Sequence, residues 1–205
     1  MNPVPLPIRL SPINRRELRE HFCALGPEDR HLRFGTMISD EAIASYVDHI
    51  DFERDAVFGI FEDDLTLAGA AHVAVGGGVA ELGVSVLPGY RGRGLGTALF
   101  DRAGMHARNA RIGELFMHCL TENSAMMRIA KRAGMQIVSG FGEADAHLKL
   151  APGDASSFTR EVMQDRLALF DYALRSQVLT AKRIGEAVLQ MPASATGVAT
   201  EPGQE

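Results

Sequence analysis

The chain has 205 residues, 46% of them apolar and 23% charged, enough for a disulfide-free core in one domain plus an appendage. A net charge of −5 argues against a general nucleic-acid-binding surface, and no stretch reaches the ~18–20 apolar residues that span a bilayer. Cys23 and Cys119 stand far apart and outside any CxxC pair, which argues against a structural metal site and fits a reducing compartment.

The N-terminus, MNPVPLPIRL, has three prolines and no apolar leader segment, so a cytoplasmic location is expected. Residues 5–13 suit an edge strand, which tolerates proline. Asn14 is placed to cap a helix over residues 15–25, with Leu18, Phe22 and Leu25 on one face. Gly26-Pro27 ends that helix and starts a short second one, residues 28–34. Ser39 caps a third, residues 40–50, whose buried face is Ile43, Val47 and Ile50.

Three strands follow at 55–62, 65–75 and 79–87, joined by Asp63-Asp64 and by Gly76-Gly77-Gly78. A helix is predicted over 94–110 and a buried strand over 114–120. The next helix, 122–133, ends at Gly134, a left-handed cap. Two strands, 135–141 and 143–151, close the pattern. The order β-α-α-α-β-β-β-α-β-α-β-β is neither a doubly wound repeat nor a sandwich. It describes a mixed sheet in which a three-strand meander precedes a βαβ crossover.

Beyond Pro152-Gly153 the character changes, so a domain over 5–151 is followed by a helical segment, 154–191. Met163, Leu167, Phe170, Leu174, Val178, Ala181, Ile184, Val188 and Met191 recur in steps of three and four that average 3.5 residues, a heptad-like seam. As one straight helix the segment would reach ~50 Å. It either folds into a hairpin, packs back on its own domain or pairs with another copy of the chain. Residues 192–205, rich in Ala, Thr, Gly and Ser, are expected to form a disordered tail.

The chain's chemistry centres on Val84 to Thr97, VSVLPGYRGRGLGT, where a strand end meets a glycine-rich turn and a helix start. Glycines there let backbone N–H groups approach a ligand, and the helix start adds free donors and the positive end of its dipole. Such a loop cradles phosphate. A dinucleotide fingerprint fails, because the third glycine position falls on Thr97 or Leu99. A P-loop fails because no Gly-Lys-Ser/Thr occurs.

The spacing Arg91-x-x-Gly94-x-Gly96 resembles the acyl-CoA pyrophosphate loop of the GNAT N-acetyltransferase superfamily. Glu122-Asn123 through Met126, Ile129-Ala130, Arg132, Gly134 and Met135 resembles that family's asparagine-containing helix. Leu18 to Phe34, with Leu25-Gly26-Pro27-Glu28 and Arg30-His31-Leu32-Arg33-Phe34, is similar to the bacterial protein-lysine acetyltransferases. The resemblance implies an α+β (mixed α/β) GNAT fold. Its central sheet would be mixed and mostly antiparallel, flanked by helices, with a splay between the strands at 79–87 and 114–120. The long C-terminal helical segment is an appendage to it.

It further implies acetyl-CoA as co-substrate, with no metal. The pyrophosphate would sit on the amides of Gly92, Arg93, Gly94, Leu95, Gly96 and Thr97, with positive charge from Arg91 and Arg93. The pantetheine would lie along Val84, Ser85 and Val86, and Asn123 would bond it or an ordered water, or simply cap its helix. The acceptor would be a primary amine, with a protein lysine favoured, and transfer would be direct within a ternary complex. A small-molecule amine is the alternative; a CoA-binding module without turnover is the alternative of another class.

A lysine amine has pKa ~10.4 in water, so the attacking nitrogen needs a proton acceptor. Glu81, an acid inside an apolar strand ten residues before Arg91, is the candidate base; the competing reading is a solvated strand residue pointing outward. Many relatives carry an acid, Tyr, at the position of Ala130. His118 is a reserve base or a packed strand residue, and Cys119 reads as a buried, unreactive thiol. Glu143, Asp145, His147, Arg33 and Phe34 are candidates to border the acceptor, the competing reading being solvated surface charges; His72 and Ser85 carry no distinguishing signal.

Overall fold

The sheet begins where the chain is most continuously apolar. In the computed structural model, which describes residues 4–189, Ala56–Phe61 (β2) buries every side chain. It pairs antiparallel with β1 (Ile8–Arg9) and β3 (Leu67–Gly76), and β3 pairs with β4 (Val79–Val86) across the glycine turn. After helix α4 (Leu95–Asn109) the chain returns as β5 (Glu114–Leu120), parallel to β4. Helix α5 (Ser124–Arg132) leads to β6 (Gln136–Gly140) and β7 (Glu143–Lys149). The order is β1-β2-β3-β4-β5-β7-β6, with β4–β5 the parallel pair. This is the mixed, mostly antiparallel sheet that the resemblance implies.

Each face of the sheet carries its own core. On one, Leu82, Val84, Phe58 and Leu115 pack against Leu95, Leu99 and Ala103 of α4 and Ala130 of α5. On the other, Val57, Phe61 and Ala70 pack against Leu18 and Phe22 of α1 (Arg15–Cys23) and Ile43 and Val47 of α3 (Asp40–Asp48). The short α2 (Pro27–Phe34) begins at Pro27 and ends at Gly35. The first strand is shorter than expected: Pro12 to Asn14 form a 3₁₀ turn instead. Prolines 7 and 12 bracket the pairing segment and cannot donate to a ladder.

Helix α6 (Ala155–Leu189) runs unbroken, so the hairpin is not formed. It docks on its own domain along a stripe different from the predicted seam. Arg102 of α4 pairs with Glu161 and Asp165, Ala168 is buried, the Tyr172 ring lies against Phe61, and Arg175 pairs with Asp63. The apolar seam faces outward: Leu167 is 57% exposed and Phe170 71%. Met191 of the seam and the predicted tail, 192–205, lie outside the described residues.

Candidate functional site

Pro88 to Tyr90 form a 3₁₀ turn, after which Gly92 (φ 75°) and Gly94 (φ 87°) hold left-handed backbone that a side chain would strain. Gly94 caps α4, and Leu95, Gly96 and Thr97 are its first residues, whose N–H groups have no acceptor within the helix. The loop is therefore a ring of backbone donors at the positive end of a fifteen-residue helix.

A slot leads away from it. β4 and β5 pair only at Val79, Ala80 and Glu81 with Glu114, Leu115 and Phe116. Beyond that point β4 continues its ladder with β3 to Val86, and β5 its ladder with β7 to Leu120, but the two no longer meet. The splay leaves the β4 edge open from Leu82 onward. A groove of about 630 Å³ runs along it, lined by Val84, Ser85, Val86, Arg91, Gly92, Gly94, Leu95, Gly96, Thr97 and Asn123.

The arginines of the loop are held by carboxylates. Arg91 reaches Asp29 of α2 at 2.6 Å and donates through Nε to the Val86 carbonyl. Arg93 pairs with Glu62 at 3.0 Å and does not line the groove. The Asn123 side chain accepts from the Met126 N–H, the capping role weighed from sequence. Arg128 and Arg132 of α5, four residues apart, line the groove as well. The sequence reading gave these two no binding role, although their i, i+4 spacing puts them on one face of the helix.

A second cavity, about 240 Å³, lies on the same sheet beneath α2 and α3, lined by Arg33, Phe34, Tyr46, His72, Glu81, Gly83 and His118 among others. Glu81 is exposed on β4 and borders it. His118 donates to Asp145 at 2.7 Å. That bond, with the charges of Asp145, Glu143 and Glu81, raises the His118 pKa above the ordinary histidine range. Opposite, Asp55, 3% exposed, accepts from His72 Nε2 at 3.2 Å. His72 Nδ1 then accepts from the Tyr46 hydroxyl at 2.7 Å. Burial and the Arg33 charge lower the His72 pKa and favour the neutral ring, whose proton the Asp55 carboxylate holds on Nε2.

His72 and Ser85 thus belong to networks that carried no sequence signal. Ser85 Oγ donates to His21 Nε2 at 2.7 Å, while His21 Nδ1 donates to the Leu67 carbonyl at 2.7 Å. Burial lowers the His21 pKa to about 4, so it stays neutral. Ala130 is fully buried in the core, and no acid stands at its position. Cys119 is buried, donates to the Ala144 carbonyl, and burial raises its pKa. His147 turns to Glu114 and stacks on Phe116, and it does not line the cavity. Among the described residues no cluster of His, Cys, Asp or Glu could hold a metal, and no helix is long and apolar enough to cross a membrane.

The sequence matches the Acetyltransferase (GNAT) family over residues 28–135, just over half of the chain. No curated protein matches it significantly by sequence. Among solved structures it is similar to the GNAT domain of S. lividans PAT, with a TM-score of 0.58 at 19% identity, covering 70% of this chain and 88% of that one. Ribosomal-protein-alanine N-acetyltransferase from Brucella melitensis superposes with a TM-score of 0.55 at 15% identity, covering 71% and 99%. A Salmonella typhimurium protein solved with its cofactor acetyl-CoA gives 0.56 at 15% identity, covering 73% and 95%. These likenesses establish the shared fold.

Proposed function

The chain belongs to the GNAT acetyltransferase family, which uses acetyl-CoA as co-substrate, and from that premise we propose that Glu81 serves as general base for acetyl transfer to a primary amine. The observation that carries this reading is the junction of two spaces. The groove that ends on the α4 N-terminus meets, at Leu32 and Arg33, the cavity that Glu81 borders.

The residues present fit acetyl-CoA. The left-handed glycines keep the phosphate cradle free of Cβ atoms, and Leu95 to Thr97 add helix N–H donors. Arg128 and Arg132 supply positive charge at the groove. The open β4 edge at Val84, Ser85 and Val86 offers strand-like hydrogen bonds to an extended arm. Bound there, acetyl-CoA supplies the acetyl group as a thioester. Glu81 takes the proton of the incoming amine, directly or through water, and His118 with Asp145 completes a charged rim beside it. The thiol needs little help to leave, since a thiolate of this kind has pKa ~8.5.

Two acceptor classes compete. The lysine side chain of a protein is the reading from resemblance, and the exposed acids Glu143 and Asp145 beside His118 favour a cation arriving at that rim. A small-molecule amine is favoured by the size of the cavity and its polar inner wall. Turnover sets both apart from a CoA-binding module that performs none. Acetyl-CoA is expected to raise the thermal midpoint of the native protein but not of Gly94→Glu, whose carboxylate would stand among the phosphate donors. Labelled acetyl-CoA given to a lysate then shows whether label enters proteins or small amines. No stabilisation by acetyl-CoA contradicts the ligand assignment.

The catalytic unit is residues 5–151, and α6 is the element we assign to assembly. Its seam of Leu167, Phe170, Leu174 and Val178 is exposed on one face of an unbroken helix, which suits a second copy of the chain.

A further inference from the structure

Among the described residues Arg33, Arg128 and Arg132 of the groove have no carboxylate within 4.0 Å, and of these Arg33 alone also lines the cavity. Arg33 comes from the last turn of α2 and lines both the groove and the cavity. Its guanidinium lies over β4 at Gly83, in the space where any side chain at that position would stand. Among the described residues no carboxylate lies within 4.0 Å of it, whereas Arg91 and Arg93 nearby are both paired. Its hydrogen bond runs to the Tyr46 hydroxyl at 3.0 Å, and its Nε is buried with no partner.

The group is nonetheless fixed. The Phe34, Phe22 and Tyr46 rings surround it with centroids 4.9, 5.5 and 5.8 Å from Cζ. Tyr46 is itself anchored through His72 to the buried Asp55. A chain of four side chains therefore aims an unpaired fork at the point where groove and cavity meet. Partial burial of a guanidinium is costly unless an anion completes it. A planar fork held this rigidly is the geometry that binds a carboxylate through two parallel bonds.

Gly83 and Glu81 are two residues apart on one face of β4, roughly 7 Å along the strand. Glu81 thus marks where the amine is deprotonated, and Arg33 marks a second anchor at a fixed distance from it. We infer that Arg33 recognises a carboxylate carried by the acceptor, so that the enzyme acetylates small amino acids, with amine and carboxylate spanning Glu81 and Arg33. This inference rests on the assignment of Glu81 and of the acetyl-CoA groove. It selects the small-molecule class of acceptor and adds an acidic group to it.

The test uses amines that differ only in the carboxylate: 5-aminopentanoate against pentylamine, and lysine against cadaverine. The native protein is expected to favour the carboxylated member of each pair about tenfold to a hundredfold in kcat/KM, mostly through KM. Arg33→Gln is expected to bring the ratio close to one, and Arg33→Lys to restore part of it. In the presence of CoA, 5-aminopentanoate is expected to raise the thermal midpoint of the native protein and not of Arg33→Gln. A native ratio near one overturns the inference, as does a preference that survives Arg33→Gln. An Arg33→Gln effect confined to the KM of acetyl-CoA overturns it too, since the fork would then serve the co-substrate. If acetyl-CoA stabilises the protein and no carboxylated amine is bound or acetylated, the inference fails while the groove assignment stands. If acetyl-CoA itself does not stabilise the protein, the groove assignment fails.

Discussion

At the scale of single residues, the two faces of the smaller cavity shift histidine pKa values in opposite directions. His72 is buried between Asp55 and Tyr46 near the Arg33 charge, and its pKa is lowered. His118 is 39% exposed, its pKa raised by the hydrogen bond to Asp145 and by the charges of Asp145, Glu143 and Glu81. The imidazolium of His118 therefore persists to higher pH than a free histidine, and whatever it contributes is lost as pH rises through that raised value. In an NMR titration the His118 ring is expected to titrate above 6.5 and to move toward 6.5 in Asp145→Asn. A native midpoint at or below 6.5 would contradict the pairing. Neither histidine's role was legible in the sequence. A strand residue declares its burial by alternation, but its partners here lie 17 to 27 residues away in sequence.

At the scale of elements, α4 is stabilised at both ends by different chemistry. Its N-terminus carries the glycine cradle, and its later turns hold α6 through Arg102, His106 and Asn109, which all converge on Glu161. Burial alone would raise the Glu161 pKa, but the hydrogen bonds from His106, Asn109 and Arg102 lower it to about 2. A depressed carboxylate contributes stability above its unfolded value, about 4.5, and loses it as pH falls toward 2. Thermal midpoints are accordingly expected to fall over that window in the native protein, with a shallower fall in Glu161→Gln. At pH 7 the variant is expected to be less stable by about 3 kcal/mol, because Arg102 is 1% exposed and loses a buried partner. Equal acid profiles for the two proteins would show that Glu161 does not hold the helix in this way. The glycine loop and the Asn123 cap were legible because both are local, governed by neighbours three or four residues away. The docking stripe of α6 was not. Its strongest apolar stripe, Met163 through Ile184, is exposed, and the buried stripe is built on charges whose partners lie on α4.

At the scale of the whole molecule, the order of elements and the mixed sheet followed from hydrophobic period and turn chemistry. The splay that makes the site came from the family resemblance and is present, but hydrophobic period could not give it, because it is a missing ladder between two strands that each pair with another neighbour. Where the sheet opens, groove and cavity meet at Leu32 and Arg33. The exposed seam of α6 belongs to this scale as well. In sedimentation the protein is expected to have the mass of two copies, and the double change Leu167→Lys with Phe170→Lys the mass of one. A native monomer at tens of micromolar would remove α6 as the assembly element.

The role of Glu81 is tested most directly by amine-dependent release of CoA thiol from acetyl-CoA, compared between the native protein and Glu81→Gln. Release is expected to require an amine and to fall about a hundredfold or more in the variant, with acetyl-CoA binding retained. Native-level release by Glu81→Gln at pH 7 would contradict that role.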